Sequence, residues 1–218
     1  MVKVASFPEL VTETNRLRNY IFRGIKRAKS HKLKPGAGRG PTADTRKMLR
    51  AERAILAEFK RKAVGFLQIF PQNEWEWLAL AQHHGLPTRL LDWTTNPLVA
   101  AYFACSGQSD NENSTIYAFP RGKYLDLSVF TDPFTIRKVS LVRPAHVTAR
   151  LAAQDGVFTV HPDPRVPFRD ATLISITIPC RARNRILRDI GRSGVNIEKL
   201  FPGLDGVCAK IRFEYRYE

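Results

Sequence analysis

The 218-residue sequence has few cysteines, few acidic residues and no long apolar run. Its three cysteines (Cys105, Cys180 and Cys208) lie far apart and form no CxxC pair, which argues against a disulfide framework and for a reducing compartment. No stretch approaches the roughly 20 apolar residues of a membrane span. The opening MVKVASFPEL is too short and too quickly polar for a secretory signal. We therefore expect a cytoplasmic protein without a membrane partner.

Motifs of several enzyme classes are also missing. No HExxH and no Cys/His cluster is present, and the adjacent His83 and His84 would diverge at a helix end, so we expect no metal site. The chain lacks GxGxxG and GxxxxGK[ST] phosphate loops and the GxSxG turn of serine hydrolases. The acids are scattered, which disfavours a metal-dependent nuclease.

Charge is the strongest global feature of the sequence. Lys and Arg number 35 against 20 Asp and Glu, a formal net charge of +15. Residues 16–50 hold twelve of these cations and a single acid, Asp44. Such a field attracts polyanions through their phosphates, independently of base sequence. A solvated loop that keeps the protein soluble is the alternative explanation.

The apolar pattern predicts one α+β domain. Helical spacing is found at residues 8–18, 45–63, 74–84, 98–105 and 184–193. Aromatic and β-branched residues predict strands at 19–25, 86–93, 115–119, 157–160, 173–178 and 207–217. Regular βαβ alternation is absent, so we expect a single domain over residues 1–218 with a mixed or antiparallel sheet and several helices. The basic stretch at about 26–44, rich in Gly and Pro, is expected to be a flexible loop.

Polar residues gather at two places inside apolar sequence. Arg23 lies within YIFRGI, where it either points outward or requires an anion to pair with. Residues 82–96, QHHGLPTRLLDWTTN, lie between two apolar helices. Structural roles are one explanation: a helix end at His84, an ion pair of Arg89 with Asp92, and a cap at Thr95 or Asn96. Polar groups beside an apolar wall are equally typical of a binding site.

These residues carry a resemblance to the FRG domain family, named for Phe-Arg-Gly. The motif is Phe22-Arg23-Gly24 here, and the match continues through residues 52–59 and the long segment LAQHHGLPTRLLDWTTNPLVAAYFA. It extends through RLAAQDGVFTVH at 150–161 and GVNIEKLFPGLDG at 194–206, nearly the whole chain. The central motif is long and specific.

A weaker resemblance is to ADP-ribosyltransferases of the Arg-Ser-Glu type. These have an aromatic-Arg-Gly on an early strand, a Ser-Thr-Ser strand followed by an apolar helix, and a later Glu that begins a strand. The similarity implies an ADP-ribosyltransferase-like fold, NAD as substrate, and catalytic roles for Arg23, Thr94, Thr95, Gln154 and His84. It also implies a set of cofactor-binding residues: Phe22, Arg23, Gly24, His83, His84, Thr88, Arg89, Asp92 and Thr94.

Gln154 departs from that pattern, because it stands where the Glu is expected and carries no charge. Asp155 beside it can serve instead, or Gln154 is only a surface residue at a strand start.

Our first hypothesis is an NAD-dependent ADP-ribosyltransferase acting on RNA or single-stranded DNA, as a bacterial or phage toxin or defence effector with a possible acidic antitoxin. The acceptor would dock on Lys26, Arg27, Lys29, Lys32, Lys34 and Arg39. The alternatives are a non-catalytic nucleic-acid or nucleotide-binding module and, third, a metal-free nuclease using His83 or His84.

Overall fold

The computed structural model describes residues 2–28, 32–40, 44–107, 111–145 and 148–215. Within these residues seven strands form one sheet: β1 Val2–Lys3, β2 Tyr20–Ile25, β3 Leu90–Thr94, β4 Ser114–Pro120, β5 Ser140–Val142, β6 Gly156–Val160 and β7 Ile174–Ile178. The same residues form eight α-helices: α1 Phe7–Asn15, α2 Thr45–Ala63, α3 Glu74–His83, α4 Pro97–Cys105, α5 Ala149–Ala153, α6 Arg183–Arg192, α7 Ile197–Leu200 and α8 Leu204–Glu214.

The sheet has the order β1-β7-β4-β2-β3-β6-β5. Only β1 and β7 pair in parallel, and every other neighbouring pair in the described residues is antiparallel. The predicted α+β class with a mixed sheet is therefore confirmed. No helix in the described part of the chain is long and apolar enough to cross a bilayer.

Two helices begin next to residues that cap their N-termini. The side chain of Asp44 accepts from the amides of Arg46 and Lys47, so α2 begins at Thr45 as predicted. Asn96 caps α4 by accepting from the Leu98 amide, and Pro97 occupies the first helical position, where its missing N–H costs nothing.

Residues 207–217 were predicted to be a strand, and that prediction is wrong. Residues 207–214 belong to helix α8, which packs against α7, and residues 216 and 217 lie outside the described residues. Gly206 allows the contact, because a Cβ there would lie 2.0 Å from the Phe201 carbonyl oxygen. Alternating Val, Ile, Phe and Tyr favour a strand only where the segment can pair with the edge of a sheet. Sequence patterns also missed four short elements: β1, β5, α5 and α7.

Three apolar clusters make up the core. On one face of the sheet, Phe22 and Ile116 pack with α4 and α6, and Leu90 and Phe158 pack with α3. Ile21, Leu91 and Trp93 form a third cluster with Leu33 and Phe168. The alternation of side chains along β2 and β3 assigns this third cluster to the opposite face.

The described part of the basic segment, residues 32–40, lies packed against the protein. The Ala37 amide donates to the Thr88 carbonyl at 3.0 Å, and the buried Leu33 accepts from the Phe168 amide at 2.6 Å. A Cβ on Gly38 would lie 1.8 Å from the Pro164 carbonyl oxygen, so the backbones touch there. Residues 32–40 therefore pack on the protein, and the flexibility of the loop stays a prediction. Residues 29–31 and 41–43 of that loop lie outside the described residues.

Candidate functional site

Strands β2 and β3 part after a single residue pair. On its other side β2 pairs with β4 along its whole length, from Tyr20 opposite Pro120 to Ile25 opposite Thr115. Against β3 the only pair is Phe22 opposite Thr94. The backbone on either side of the gap is therefore available to other groups.

A cleft of about 960 Å³ occupies this gap, within the range of roughly 300–1,000 Å³ that is usual for small-molecule sites. Helix α4 lines it with Val99, Ala100 and Phe103, and α3 with Ala79, Gln82 and His83. Further lining residues from α5 and the start of β6 are Arg150, Leu151, Gln154 and Gly156. The cleft thus lies between two helices that pack on the same sheet face, with the diverging strands as its floor.

Arg23 crosses the gap between the strands. Its Nη1 donates to the Asp92 backbone oxygen at 2.6 Å and to the Asp92 carboxylate at 3.3 Å. Its Nε is buried and has no hydrogen-bond partner among the described residues. Burial lowers the pKa of Arg23, Asp92 opposes that shift, and Arg39 adds to it. Arginine stays protonated despite such a shift, so the cleft contains a fixed, incompletely paired cation.

Asp92 is fixed from a second direction by Gln82. Gln82 Nε2 donates to Asp92 Oδ1 at 3.0 Å and to the Leu90 carbonyl at 3.3 Å. The hydroxyl of the buried Thr88 donates to Gln82 Oε1 and so fixes the orientation of the amide. Thr88, predicted to bind cofactor, therefore supports the site from behind instead of lining it.

The cleft is strongly cationic. Five of its described lining residues are basic, namely Arg23, Lys26, Arg27, Arg39 and Arg150, and Asp92 is the one acid among them. Arg150 lies over the Phe201 ring with its Cζ 4.3 Å from the ring centroid, and burial lowers its pKa. Arg39 is held by two hydrogen bonds from its guanidinium to the Lys34 carbonyl, at 3.1 and 2.8 Å. Such a cleft suits an anionic ligand.

His83 lines the cleft and His84 does not. Burial, together with Arg150 and His84, lowers the pKa of His83 to about 4, so this imidazole is neutral at pH 7. His84 is the exposed C-terminal cap residue of α3. Of the two predicted histidines, His83 is therefore the one placed to contact a ligand.

Thr94 and Gln154 meet at one end of the cleft. Thr94 pairs with Gly156 across β3 and β6, just beyond Gln154. Gln154 donates from Nε2 to the Leu200 carbonyl at 2.9 Å, while its Oε1 has no partner among the described residues. Thr95 and Asp155 do not line the cleft; the Thr95 amide donates to the Asp155 carbonyl at 3.1 Å. Asp155 adopts φ +46°, left-handed and unusual for a non-glycine residue.

Other predicted residues hold the scaffold. Arg89 is buried and bonds Glu52 through Nε at 3.1 Å and Nη2 at 2.7 Å. The suggested ion pair of Arg89 with Asp92 is therefore wrong, since Asp92 pairs with Arg23. A Cβ on Gly24 would lie 1.9 Å from the Ala100 carbonyl oxygen, so this glycine lets α4 approach β2 closely.

The predicted nucleic-acid residues divide into three groups. Lys26, Arg27 and Arg39 line the cleft, while Lys32 and Lys34 flank it on the packed segment. Lys29 lies outside the described residues. Sequence reasoning assigned no site role to Gln82 or Arg150, although both lie within segments quoted for the family resemblance. The signal that could have identified them is a polar residue next to an alanine.

A buried polar chain lies behind Arg23. Trp93 Nε1 donates to Thr159 Oγ1 at 3.0 Å, and Thr159 Oγ1 lies 2.9 Å from His161 Nε2. Burial, with Arg23 and Arg89 nearby, lowers the pKa of His161 to about 4. A neutral imidazole can accept from the Thr159 hydroxyl, whereas a protonated one cannot.

Folding stability should therefore fall as the pH is lowered from about 6.5 through 4. In that window the unfolded chain, with an ordinary histidine pKa, binds more protons than the folded one, so the free energy of unfolding decreases by up to roughly 3 kcal/mol for His161 alone. Urea unfolding at several pH values measures this dependence. His161→Gln should reduce the slope and leave the part that His83 contributes, whereas His84→Gln should not change it; equal slopes in all three proteins would contradict the assignment.

The described residues contain no group of three or more His, Cys, Asp or Glu side chains that could hold a metal ion. The fold and cleft define an α+β protein whose sheet opens into a cation-rich cleft. Residues 18–113 match the family model of the FRG domain. The match includes Phe22-Arg23-Gly24 and the segment from Gln82 to Asn96, but not Arg150 or Gln154. Comparison with curated proteins gave no match, and comparison with solved structures gave none either.

Proposed function

We propose that this protein is an NAD-dependent ADP-ribosyltransferase whose acceptor is RNA or single-stranded DNA. The observation that carries the proposal is Arg23, a largely buried cation whose Nε has no partner among the described residues, at the point where β2 and β3 part. A dinucleotide with a pyrophosphate supplies the anion that this guanidinium lacks, through charge-assisted hydrogen bonds. The opening between two central strands above an apolar helix also supports an ADP-ribosyltransferase-like fold.

The lining residues fit the parts of NAD by their chemistry. Arg23 and Arg150 both line the cleft with Asp92 and bind the phosphates, since each is desolvated and the Asp92 carboxylate influences both. Thr94 and the unused Oε1 of Gln154 accept from ribose hydroxyls at the end of the cleft. The neutral imidazole of His83 offers a hydrogen bond without adding another charge.

The reaction transfers ADP-ribose to a nucleophilic atom of the acceptor. The bond from the ribose C1′ to the nicotinamide nitrogen breaks, and its electron pair remains on that nitrogen. A bond forms from C1′ to the acceptor atom, which loses a proton. The transition state is oxocarbenium-like, so fixed acceptors near the ribose stabilise it.

Labelled NAD tests the proposal directly. The purified protein is incubated with NAD labelled in its adenylate half and, in separate reactions, with single-stranded RNA, single-stranded DNA or duplex DNA. We expect label on a single-stranded polymer and release of nicotinamide. No label on any polymer, with no nicotinamide released, would refute the transferase.

The acceptor is expected to approach along the packed basic segment. Single strands fit better than a duplex, because the modified base or sugar must enter a cleft. Lys26, Lys32 and Lys34 are at least partly exposed beside the cleft, and phosphate contacts of this kind depend on salt.

Replacing Lys26, Lys32 and Lys34 by alanine should weaken single-stranded RNA binding about tenfold or more and flatten its salt dependence. Binding of NAD should change far less, because Arg23 and Arg150 remain. The matched control replaces Lys3, Lys123 and Lys138, which are exposed, do not line the cleft and remove the same charge. Fluorescence anisotropy at several salt concentrations measures both triples; equal losses would show that only net charge acts.

A second candidate function, a non-catalytic nucleic-acid or nucleotide-binding module, is favoured by one observation. Gln154 lies in the cleft where the transferase pattern expects a Glu, and an amide cannot act as a base. This candidate predicts salt-dependent polymer binding without any consumption of NAD.

As a transferase acting on RNA, the protein would serve as a toxin or defence effector in the cytoplasm, and its cationic cleft would suit an acidic antitoxin as partner.

A further inference from the structure

The proposed reaction needs a carboxylate, and this chain has none at the position where the transferase pattern expects a Glu. Gln154 is uncharged, and its amide is anchored to the Leu200 carbonyl. Asp155 is exposed, lies outside the cleft and adopts a left-handed backbone. Asp92 is the one acid among the described residues that line the cleft.

Resting on the proposed function, we infer that Asp92 is the catalytic carboxylate, which faces the transition-state cation and accepts the proton of the acceptor. Its side chain is 55% exposed although both oxygens are fixed, Oδ1 by Gln82 at 3.0 Å and Oδ2 by Arg23 at 3.3 Å. An ionised carboxylate has about four acceptor positions, so each oxygen keeps capacity for a further bond. The carboxylate is therefore both oriented and accessible.

The position of Asp92 in the sheet supports this role. It is two residues before Thr94 on β3, so the two side chains point to the same face about 7 Å apart along the strand. A ligand bound at Thr94 and Gln154 thus lies next to the position that the Asp92 carboxylate occupies on the same face of β3. The Thr88–Gln82 contact fixes the amide that orients it.

The proton balance is simple. The acceptor atom forms its bond to C1′ and gives its proton to a carboxylate oxygen of Asp92, while nicotinamide leaves with the electron pair of the broken bond. The protonated Asp92 then loses that proton to water. A general base of this kind contributes roughly 10²–10⁴-fold to a rate.

Asp92→Asn tests the inference, because an asparagine oxygen can still accept from Arg23 or Gln82. We expect nicotinamide release to fall about a hundredfold or more at saturating NAD. Affinity for NAD should be unchanged or higher, since the one negative charge among the described lining residues of the cleft is lost. The acidic limb of the wild-type pH–rate profile should disappear in the variant. Asp155→Asn provides the competing assignment, and Asp170→Asn, in an exposed turn, is the control.

The possible results distinguish a failure of the role of Asp92 from a failure of the proposed transferase activity. Full activity of Asp92→Asn, or loss of activity in Asp155→Asn instead, overturns the role of Asp92 and leaves the transferase standing. Loss of NAD affinity together with turnover, with an unchanged pH profile, makes Asp92 a purely structural partner of Arg23. A wild-type protein that releases no nicotinamide refutes the proposed function itself.

Discussion

Replacing Arg23 by lysine should lower the second-order rate of ADP-ribose transfer roughly a hundredfold, the cost of removing one positioned donor. Lysine keeps the positive charge but loses the planar fork that binds a phosphate bidentately. In the protein Nη1 is already committed to the Asp92 backbone oxygen at 2.6 Å, so the remaining nitrogens must bind the ligand. A single ammonium cannot serve both partners.

This loss should not come from unfolding. The buried Nε of Arg23 has no partner in the described residues, and lysine has no nitrogen at that position, so the change removes an unsatisfied donor as well as a hydrogen bond. We expect the two effects to offset each other, leaving the melting temperature within a few degrees of wild type. The measurements are NAD binding by calorimetry, labelled transfer and thermal unfolding.

Arg16→Lys is the matched control, because Arg16 is exposed at the end of α1 and pairs with Glu13. It should be indistinguishable from wild type in binding and transfer. Wild-type transfer by Arg23→Lys would show that charge alone suffices, and the fork would have no part in binding NAD. Loss of the fold in Arg23→Lys would instead make Arg23 a structural link between β2 and β3.

Local signals in the sequence predicted several helices and strands correctly. Helix α2 begins and ends where its uninterrupted periodicity indicates, and α4 begins at the Asn96-Pro97 pair. These features depend on neighbours within a few residues along the chain. The strand around Arg23 was predicted for the same reason, from the aromatic and β-branched residues of YIFRGI.

The cleft itself depends on contacts that no local pattern contains. Its opening exists because β2 and β3 share one residue pair, and a second partly buried cation, Arg150, comes from a helix 127 positions after Arg23. Sequence proximity suggested that Arg89 pairs with Asp92, yet the partner of Arg89 is Glu52 on α2. The charge of the ligand site was therefore predictable, and the partners within it were not.

Glu52→Ala should destabilise the protein by about 3–5 kcal/mol, the usual cost of leaving one member of a buried ion pair without its partner. The side chains of Arg89 and Glu52 are 1% and 3% exposed and joined by two hydrogen bonds, so water cannot replace the lost carboxylate. At roughly 2–4 °C per kcal/mol for a chain of this size, the melting temperature should fall about 10 °C. Glu58→Ala breaks the exposed pair with Arg61 and should change stability by less than about 1 kcal/mol.

The double variant Glu52→Leu with Arg89→Met decides what Arg89 is for. Two well-packed apolar side chains often replace a buried ion pair at little cost, so stability should recover relative to Glu52→Ala. The Arg89 guanidinium lies 4.6 Å from the Phe134 ring centroid, so the methionine meets an aromatic surface. If NAD binding survives in the stable double variant, Arg89 only anchors α2 to the start of β3. If binding is lost while the fold is kept, Arg89 acts on the ligand, as the family resemblance implied, through a rearrangement that frees it from Glu52.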